Sequence, residues 1–213
     1  MKAQKLPTTV TTPRFRLSYP AIFEPQLNKL SGKMEYSCQA LFESSADLAL
    51  VKAAAENACI NEWGPDKKKW PANFKHPFKS QKALIESAEK KGQNHDYLDP
   101  KAIYMTLKTS ATGKNGKPNP PPTVVGKNPK EIITEESKFY AGCWAKASIN
   151  AGTYSKGGNS GVTFYLNACQ FVGDGEPFSG KPSVETAFEA IPEDVQTELT
   201  HAEDDGDAAS LFS

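Results

Sequence analysis

From Phe139 to Val172 the chain alternates twice between small apolar residues and polar or aromatic ones, and a glycine-rich turn joins the two runs. In the first run Ala141, Cys143, Ala145, Ala147 and Ile149 fall on one face, and Tyr140, Gly142, Trp144, Lys146 and Ser148 on the other. A period of two over eleven residues belongs to a strand with one buried face. The small inward residues suit the tight interior of a barrel. Residues 150–154 lead into Ser155-Lys-Gly-Gly-Asn-Ser-Gly161, a turn of residues that tolerate unusual backbone angles, and Val162 to Val172 runs back. The pattern predicts a long antiparallel hairpin whose outer face mixes aromatic with basic side chains.

The remaining segments are compatible with that frame. Residues 13–19 alternate, with Phe15, Leu17 and Tyr19 predicted inward and Arg14, Arg16 and Ser18 outward, and Pro20 and Pro25 are expected to end this strand. A turn around residues 28–32 leads to a second strand over 34–42. Ser44 or Ser45 is placed to cap a helix over about 46–63, with Asp47 in its first turn. Its apolar stripe would be Leu48, Val51, Ala55, Cys59 and Trp63, and Gly64-Pro65 stops it. A short helix is predicted over about 82–91, ending at Gly92. Residues 101–111 alternate again, with Ile103, Met105 and Leu107 inward and Tyr104, Thr106 and Lys108 outward.

Two irregular stretches are basic. In 66–78 the lysines Lys67, Lys68, Lys69 and Lys75 interleave with Trp70, Phe74 and Phe78, as a stacking platform for nucleobases would require. The same aromatics could instead pin the loop to the core. Residues 112–122 (TGKNGKPNPPP) form a turn-rich loop whose Lys114 and Lys117 could lie along phosphates or simply face water.

Charge divides the chain. Lys and Arg number 25 and so do Asp and Glu, yet no Lys or Arg follows Lys181, whereas nine acids do. Residues 1–182 therefore carry +9 and the remainder −9. A basic body asks for an anionic partner, and an acidic segment ending in Leu211-Phe212-Ser213 could imitate that partner or dock elsewhere through its apolar tip. Solubility alone is the plainer reading of such a segment. The expected organisation is a loose polar arm over 1–12, one folded domain over 13–180 and a disordered acidic tail over 181–213. Cys38, Cys59, Cys143 and Cys169 lack metal-ligand spacing and read as reduced core thiols in a cytoplasm. The chain has no apolar run of membrane-spanning length and no secretory signal pattern at its start.

The succession TPRFRLSYPAIFEP, EWG, WPANFKHPF and YAGCWAKASINAGTYSKGGNSGVTFYLNACQFVGDGEPF resembles the bacteriophage single-stranded DNA-binding proteins of the podophage acidic-tail type. The similarity spans residues 13 to about 180 and is most specific over 140–178. It implies a mainly β (α+β) fold, an OB-fold-like antiparallel β-barrel with inserted helices. It also implies sequence-independent binding of single-stranded DNA in replication, recombination and repair, in the cytoplasm of an infected bacterium, without a cofactor or metal. The tail would compete with DNA and contact phage or host replication proteins through Asp204, Asp205, Asp207, Leu211 and Phe212. Related tails tend to finish on the aromatic, whereas here Ser213 follows Phe212.

The residues themselves point the same way. A protein that holds any single-stranded sequence needs cations for phosphates and aromatic faces for bases. Arg14, Arg16, Lys108 and Lys146, with Tyr104, Tyr140 and Trp144, share predicted outer strand faces. Lys67, Lys68, Lys69, Trp70, Lys75, Lys114, Lys117, Tyr154 and Lys156 would wall them. Two other classes compete: a metal-dependent nuclease built around Asn94-His95-Asp96, and a non-catalytic interaction module acting through the tail. The sequence has no Walker loop, G-x-S-x-G or H-E-x-x-H.

Overall fold

A computed structural model describes residues 4–29, 31–92, 95–113, 115–156 and 158–178. The tail residues Asp204, Asp205, Asp207, Leu211 and Phe212, and the loop residue Lys114, lie outside this set.

The described elements are nine strands and two helices: β1 (Thr9–Thr11), β2 (Phe15–Asn28), β3 (Lys33–Leu41), α1 (Ala49–Trp63), β4 (Phe74–Lys75), β5 (Lys79–Ser80), α2 (Lys82–Glu89), β6 (Ile103–Ser110), β7 (Thr123–Val125), β8 (Trp144–Lys156) and β9 (Asn159–Gly173). Five of them form a ring. β2 pairs with β3, β3 with β6, β6 with β9, β9 with β8, and β8 returns to β2. In ring order this is the closure of an OB-type barrel, with α1 and α2 inserted between its strands. The ring is not a clean antiparallel barrel. β6 meets β9 in parallel over two residue pairs, and β2 meets β8 over two pairs, Phe15 with Ala145 and Arg16 with Trp144.

The hairpin predicted from alternation is β8–β9, paired from Trp144–Gly173 to Lys156–Asn159. Cys143, Ala145, Ala147 and Ile149 are buried, as the period of two requires, together with Phe15, Leu17, Cys38, Ala40, Met105, Leu107, Phe164 and Leu166. α1 lays Val51, Ala54, Ala55, Ala58 and Cys59 on this core and packs along β8. Its small residues let the helix approach closely. It starts at Ala49, not near Ala46, because Asp47 Oδ1 accepts the Ala49 N–H at 2.9 Å and neither serine caps it.

Two sequence expectations are corrected here. The segment before residue 13 is not wholly a loose arm: β1 pairs with β8, and Asn61 of α1 both donates to Leu6 O and accepts from Leu6 N. Nor do the prolines end β2. The strand runs to Asn28, and its register with β3 breaks between Ser18 and Ala21 and again between Ala21 and Gln26, the two gaps that hold Pro20 and Pro25. A proline lacking its N–H is tolerated where the ladder is already interrupted. The first break also reverses a face. Ser18 is 3% exposed and Tyr19, predicted inward, is 66% exposed with φ +44°, a backbone conformation that costs a tyrosine energy.

All four cysteines are free and buried. Burial pushes the Cys59 thiol up to about 11 and the Cys143 thiol up to about 12. Cys169 is raised by its hydrogen bond with Cys38 and by burial.

Candidate nucleic-acid interface

Alternation along β2 turns Arg14 and Arg16 away from the core, and the pairing of Arg16 with Trp144 brings the indole of β8 beside them. Both guanidiniums lie over the Trp144 ring, Arg14 Cζ at 4.7 Å and Arg16 Cζ at 5.3 Å from its centroid, and Arg14 also pairs with exposed Glu43 at 3.0 Å. Cations over an indole face are attracted by its quadrupole. Arg16 then reaches a second ring, Phe178, at 4.8 Å. Phe178 stacks face to face on Tyr97 at 3.7 Å and 12°, and Tyr97 meets His95 at 5.2 Å. The result is a continuous column of contacts, Arg14, Trp144, Arg16, Phe178, Tyr97 and His95, in which two guanidiniums border Trp144 and three rings follow in succession. Exposed Lys146 stands two residues along β8 on the same side.

The last described residues hold this column rigid. Arg16 Nε donates to Gly142 O and Nη2 to Glu176 O, both at 2.6 Å. The single Tyr140 Oη proton has Asp174 Oδ1 and Gly175 O within reach, at 3.1 and 3.0 Å, and Phe178 N donates to Ala141 O. Glu176 passes so close to Gly142, which has φ +108°, that a side chain there would strike the Glu176 carbonyl and come within 2.9 Å of Pro177 Cα. Residues 174–178 thus form a strap across the start of β8. Burial, more than the neighbouring Tyr19, raises the Tyr97 hydroxyl above its ordinary value, and burial raises Tyr140 as well. Both phenols stay neutral near pH 7.

The other residues singled out from the sequence are placed differently. Tyr104 alternates with the core residues Met105 and Leu107, but β5 pairs beside it with Lys79 Nζ 5.9 Å from its ring, and it is only 8% exposed, which raises its hydroxyl through desolvation. It offers no open stacking surface, which corrects its predicted exposure. Tyr140 is half-buried, with its hydroxyl engaged by the strap. Lys108 is committed to Glu35, at 3.2 and 3.3 Å from its two oxygens. Trp70 is pinned to the body: its Nε1 donates to Gly64 O at 2.9 Å, and its ring packs with Trp63 and Phe74. Phe78 rests on the core ring of Phe164. Lys67 pairs with Glu56 at 2.7 Å, and Lys68, Lys69 and Lys117 are exposed.

A second basic group gathers at the far end of the hairpin. β4 pairs with β9 at Phe74–Ser160 and Lys75–Gly161, which sets exposed Lys75 beside the tip that carries Lys156 and half-buried Tyr154. Twelve strand steps separate Trp144 from Lys156, roughly 40 Å at about 3.3 Å each. The predicted single surface is therefore two clusters joined by the outer face of β8. Along that face lies a further ring, Tyr165, 41% exposed and packed over Gly152.

Sequence reasoning missed Tyr19, Tyr97, His95, Phe178 and Tyr165. Only Tyr165 carried a signal, as an aromatic at an outward position of an alternating strand. Among the described residues no group of three or more His, Cys, Asp or Glu could hold a metal, and no helix is long and apolar enough to cross a membrane.

The ring of strands with its inserted helices matches the fold of phage single-stranded DNA-binding proteins. Its structural matches include the single-stranded DNA-binding protein of bacteriophage Enc34 in complex with ssDNA (TM-score 0.60, 16% identity, 80% of this chain and 89% of that one). They also include gp2.5, the single-stranded DNA-binding protein of bacteriophage T7 (TM-score 0.52, 13% identity, 82% and 96%). A protein called p50 from Acyrthosiphon pisum secondary endosymbiont phage 1 is 26% identical over 169 residues, 78% of this chain and 83% of its own length. The profile described as Enterobacter phage Enc34, ssDNA-binding protein, matches residues 8–200. The chain belongs to that family.

Proposed function

We propose that this protein binds single-stranded DNA without regard to sequence, along the outer face of its ring of strands. The observation that carries the reading is the half-buried Trp144 ring with the Arg14 and Arg16 guanidiniums over it, continued from Arg16 by the rings of Phe178 and Tyr97. Bases stack on π faces of any sequence, and each stacked base contributes about 1–3 kcal/mol. Family membership supports the reading, since a relative of this fold is described in complex with ssDNA. The family is one of binding proteins, not enzymes.

In this reading the protein covers exposed strands during replication, recombination and repair of a phage genome in the bacterial cytoplasm. The acidic segment after Lys181 competes with DNA for the basic face and recruits replication proteins, with Leu211 and Phe212 as its apolar tip. The opposite charges of body and tail, +9 and −9 from the sequence, support the competition.

The test is a fluorescence-anisotropy titration of labelled oligo-dT and of a matched duplex across a salt series. Tight oligo-dT binding that weakens steeply with salt, and weaker duplex binding, are expected. Failure to bind oligo-dT at low salt would refute the reading.

A further inference from the structure

Beside the column, between β2, β3 and α2, lies a cleft of about 180 Å³. Three aromatic residues line it beside Ser18, Leu84 and Ala88: Tyr19, and Tyr97 and His95, which are linked by a hydrogen bond of 3.1 Å between Tyr97 Oη and His95 Nδ1. Lys91 stands exposed at its rim. Gln39 of β3 lines it, and Gln39 Oε1 is the one buried side-chain polar atom without a hydrogen-bond partner among the described residues. A buried acceptor left unpaired is costly and asks for a donor.

Tyr19 is held out by a strained backbone. Its φ of +44° lies in the left-handed region, yet it is the most exposed of the described tyrosines. A bulky residue kept in that conformation, with its ring turned to water, gains nothing for the core. Strain of this kind collects where a ligand is met.

We propose that this cleft is a nucleobase subsite, a reading that rests on the DNA-binding function above. One base leaves the strand and enters between Tyr19 and the Tyr97–His95 wall, while Lys91 meets the adjoining phosphate. The base donates a hydrogen bond from its Watson–Crick edge to Gln39. The terminal amide of a glutamine turns in a broad torsional well, so the unpaired carbonyl can swing toward the incoming donor. All four bases carry an N–H on that edge, so the subsite holds a base without choosing among them. Unstacked bases gripped by aromatic side chains and read on that edge are the usual single-strand geometry. Phe178, stacked on Tyr97 and tied down by the strap, keeps the wall in place.

The experiment compares full-length wild type, Tyr19→Gly, Gln39→Ala and Trp144→Ala for binding to oligo-dT and to an abasic oligomer of equal length, with unfolding temperatures measured in parallel. Glycine accepts the φ of residue 19, so Tyr19→Gly is expected to unfold at the same or a higher temperature. Its oligo-dT affinity should fall by about five- to 150-fold, the loss of one stacked base, with the salt slope unchanged. Gln39→Ala should weaken oligo-dT binding less, and all three variants should match wild type on the abasic oligomer, since each removes a contact to a base and none to a phosphate. A loss at Tyr19→Gly that persists on the abasic oligomer overturns the subsite. So does wild-type binding by Tyr19→Gly when Trp144→Ala is impaired. If Tyr19→Gly and Trp144→Ala both bind as wild type, the DNA-binding face itself is misplaced.

Discussion

Trp144→Ala removes the ring at the centre of the column, and its consequences can be worked out in advance. The ring faces Arg14 at 4.7 Å and Arg16 at 5.3 Å, two cation–π contacts of about 0.5–1 kcal/mol each at an exposed site. The folded state should lose about 1–2 kcal/mol, which for a domain of this size lowers the unfolding temperature by roughly 2–8 °C. Trp144 is only half-buried, so the β8 core residues Ala145 and Ala147 should keep their packing and the protein should fold. DNA affinity should fall by a further about 1–3 kcal/mol, a five- to 150-fold rise in Kd for oligo-dT. No charge is removed, so the slope of log affinity against log salt should not change. Anisotropy titrations across a salt series, with thermal unfolding alongside, measure all three quantities. A folded Trp144→Ala protein that binds oligo-dT as well as wild type would refute the argument, because the ring would then be packing and nothing more. A reduced salt slope would place its role in positioning the arginines.

Other perturbations separate the parts of the account. Arg14 exchanges its exposed partner Glu43, at 3.0 Å, for a phosphate, so Arg14→Ala should lower the salt slope by at most about 0.7, the share of one phosphate on a single strand, in the same titrations. Gly142→Ala should destabilise the fold by about 1–3 kcal/mol in chemical denaturation, since residue 142 has φ +108° and the strap leaves no room for a methyl group. The raised thiols make stability fall at high pH: the unfolded chain releases its thiol protons first, so the contribution of Cys59 and Cys143 is complete below about pH 8.5 and is lost as pH climbs through about 11 and about 12. Unfolding temperatures measured from pH 8 upward should therefore decline. Ending the chain at Gly180 should tighten oligo-dT binding, most at low salt where charges act over the longest range, and unchanged affinity would remove the tail from the competition.

Where the sequence was periodic, the fold could be read from it. Ala145, Ala147 and Ile149 are inward and Trp144 and Lys146 outward because β8 itself keeps a period of two; the two register shifts of its ladder, after Trp144 and after Ser148, place the extra residue on β9. Arg14 and Arg16 were legible for the same reason. Tyr19 was not, because the irregularity after Ser18 breaks the period within a single residue and reverses the face. Tyr104 obeyed its period and was still misjudged, since alternation gives the face of a residue and not what packs on it, here Lys79 of the preceding segment. Tyr97, His95 and Phe178 lie in stretches without periodicity, and only tertiary packing brings the strap at 174–178 against Tyr97. The aromatic loop around Trp70 and Phe74 had two open readings, and the rings Trp63, Trp70 and Phe74 gather against the body.

The most direct test of the central claim is to locate the DNA. Ultraviolet cross-linking of oligo-dT to the full-length protein, followed by peptide mapping, should place cross-links on the outer face, at Trp144, Tyr19 or Tyr97, with Tyr165 and the hairpin tip on a longer strand. Cross-links confined to the far side of the body, along α1, would contradict it.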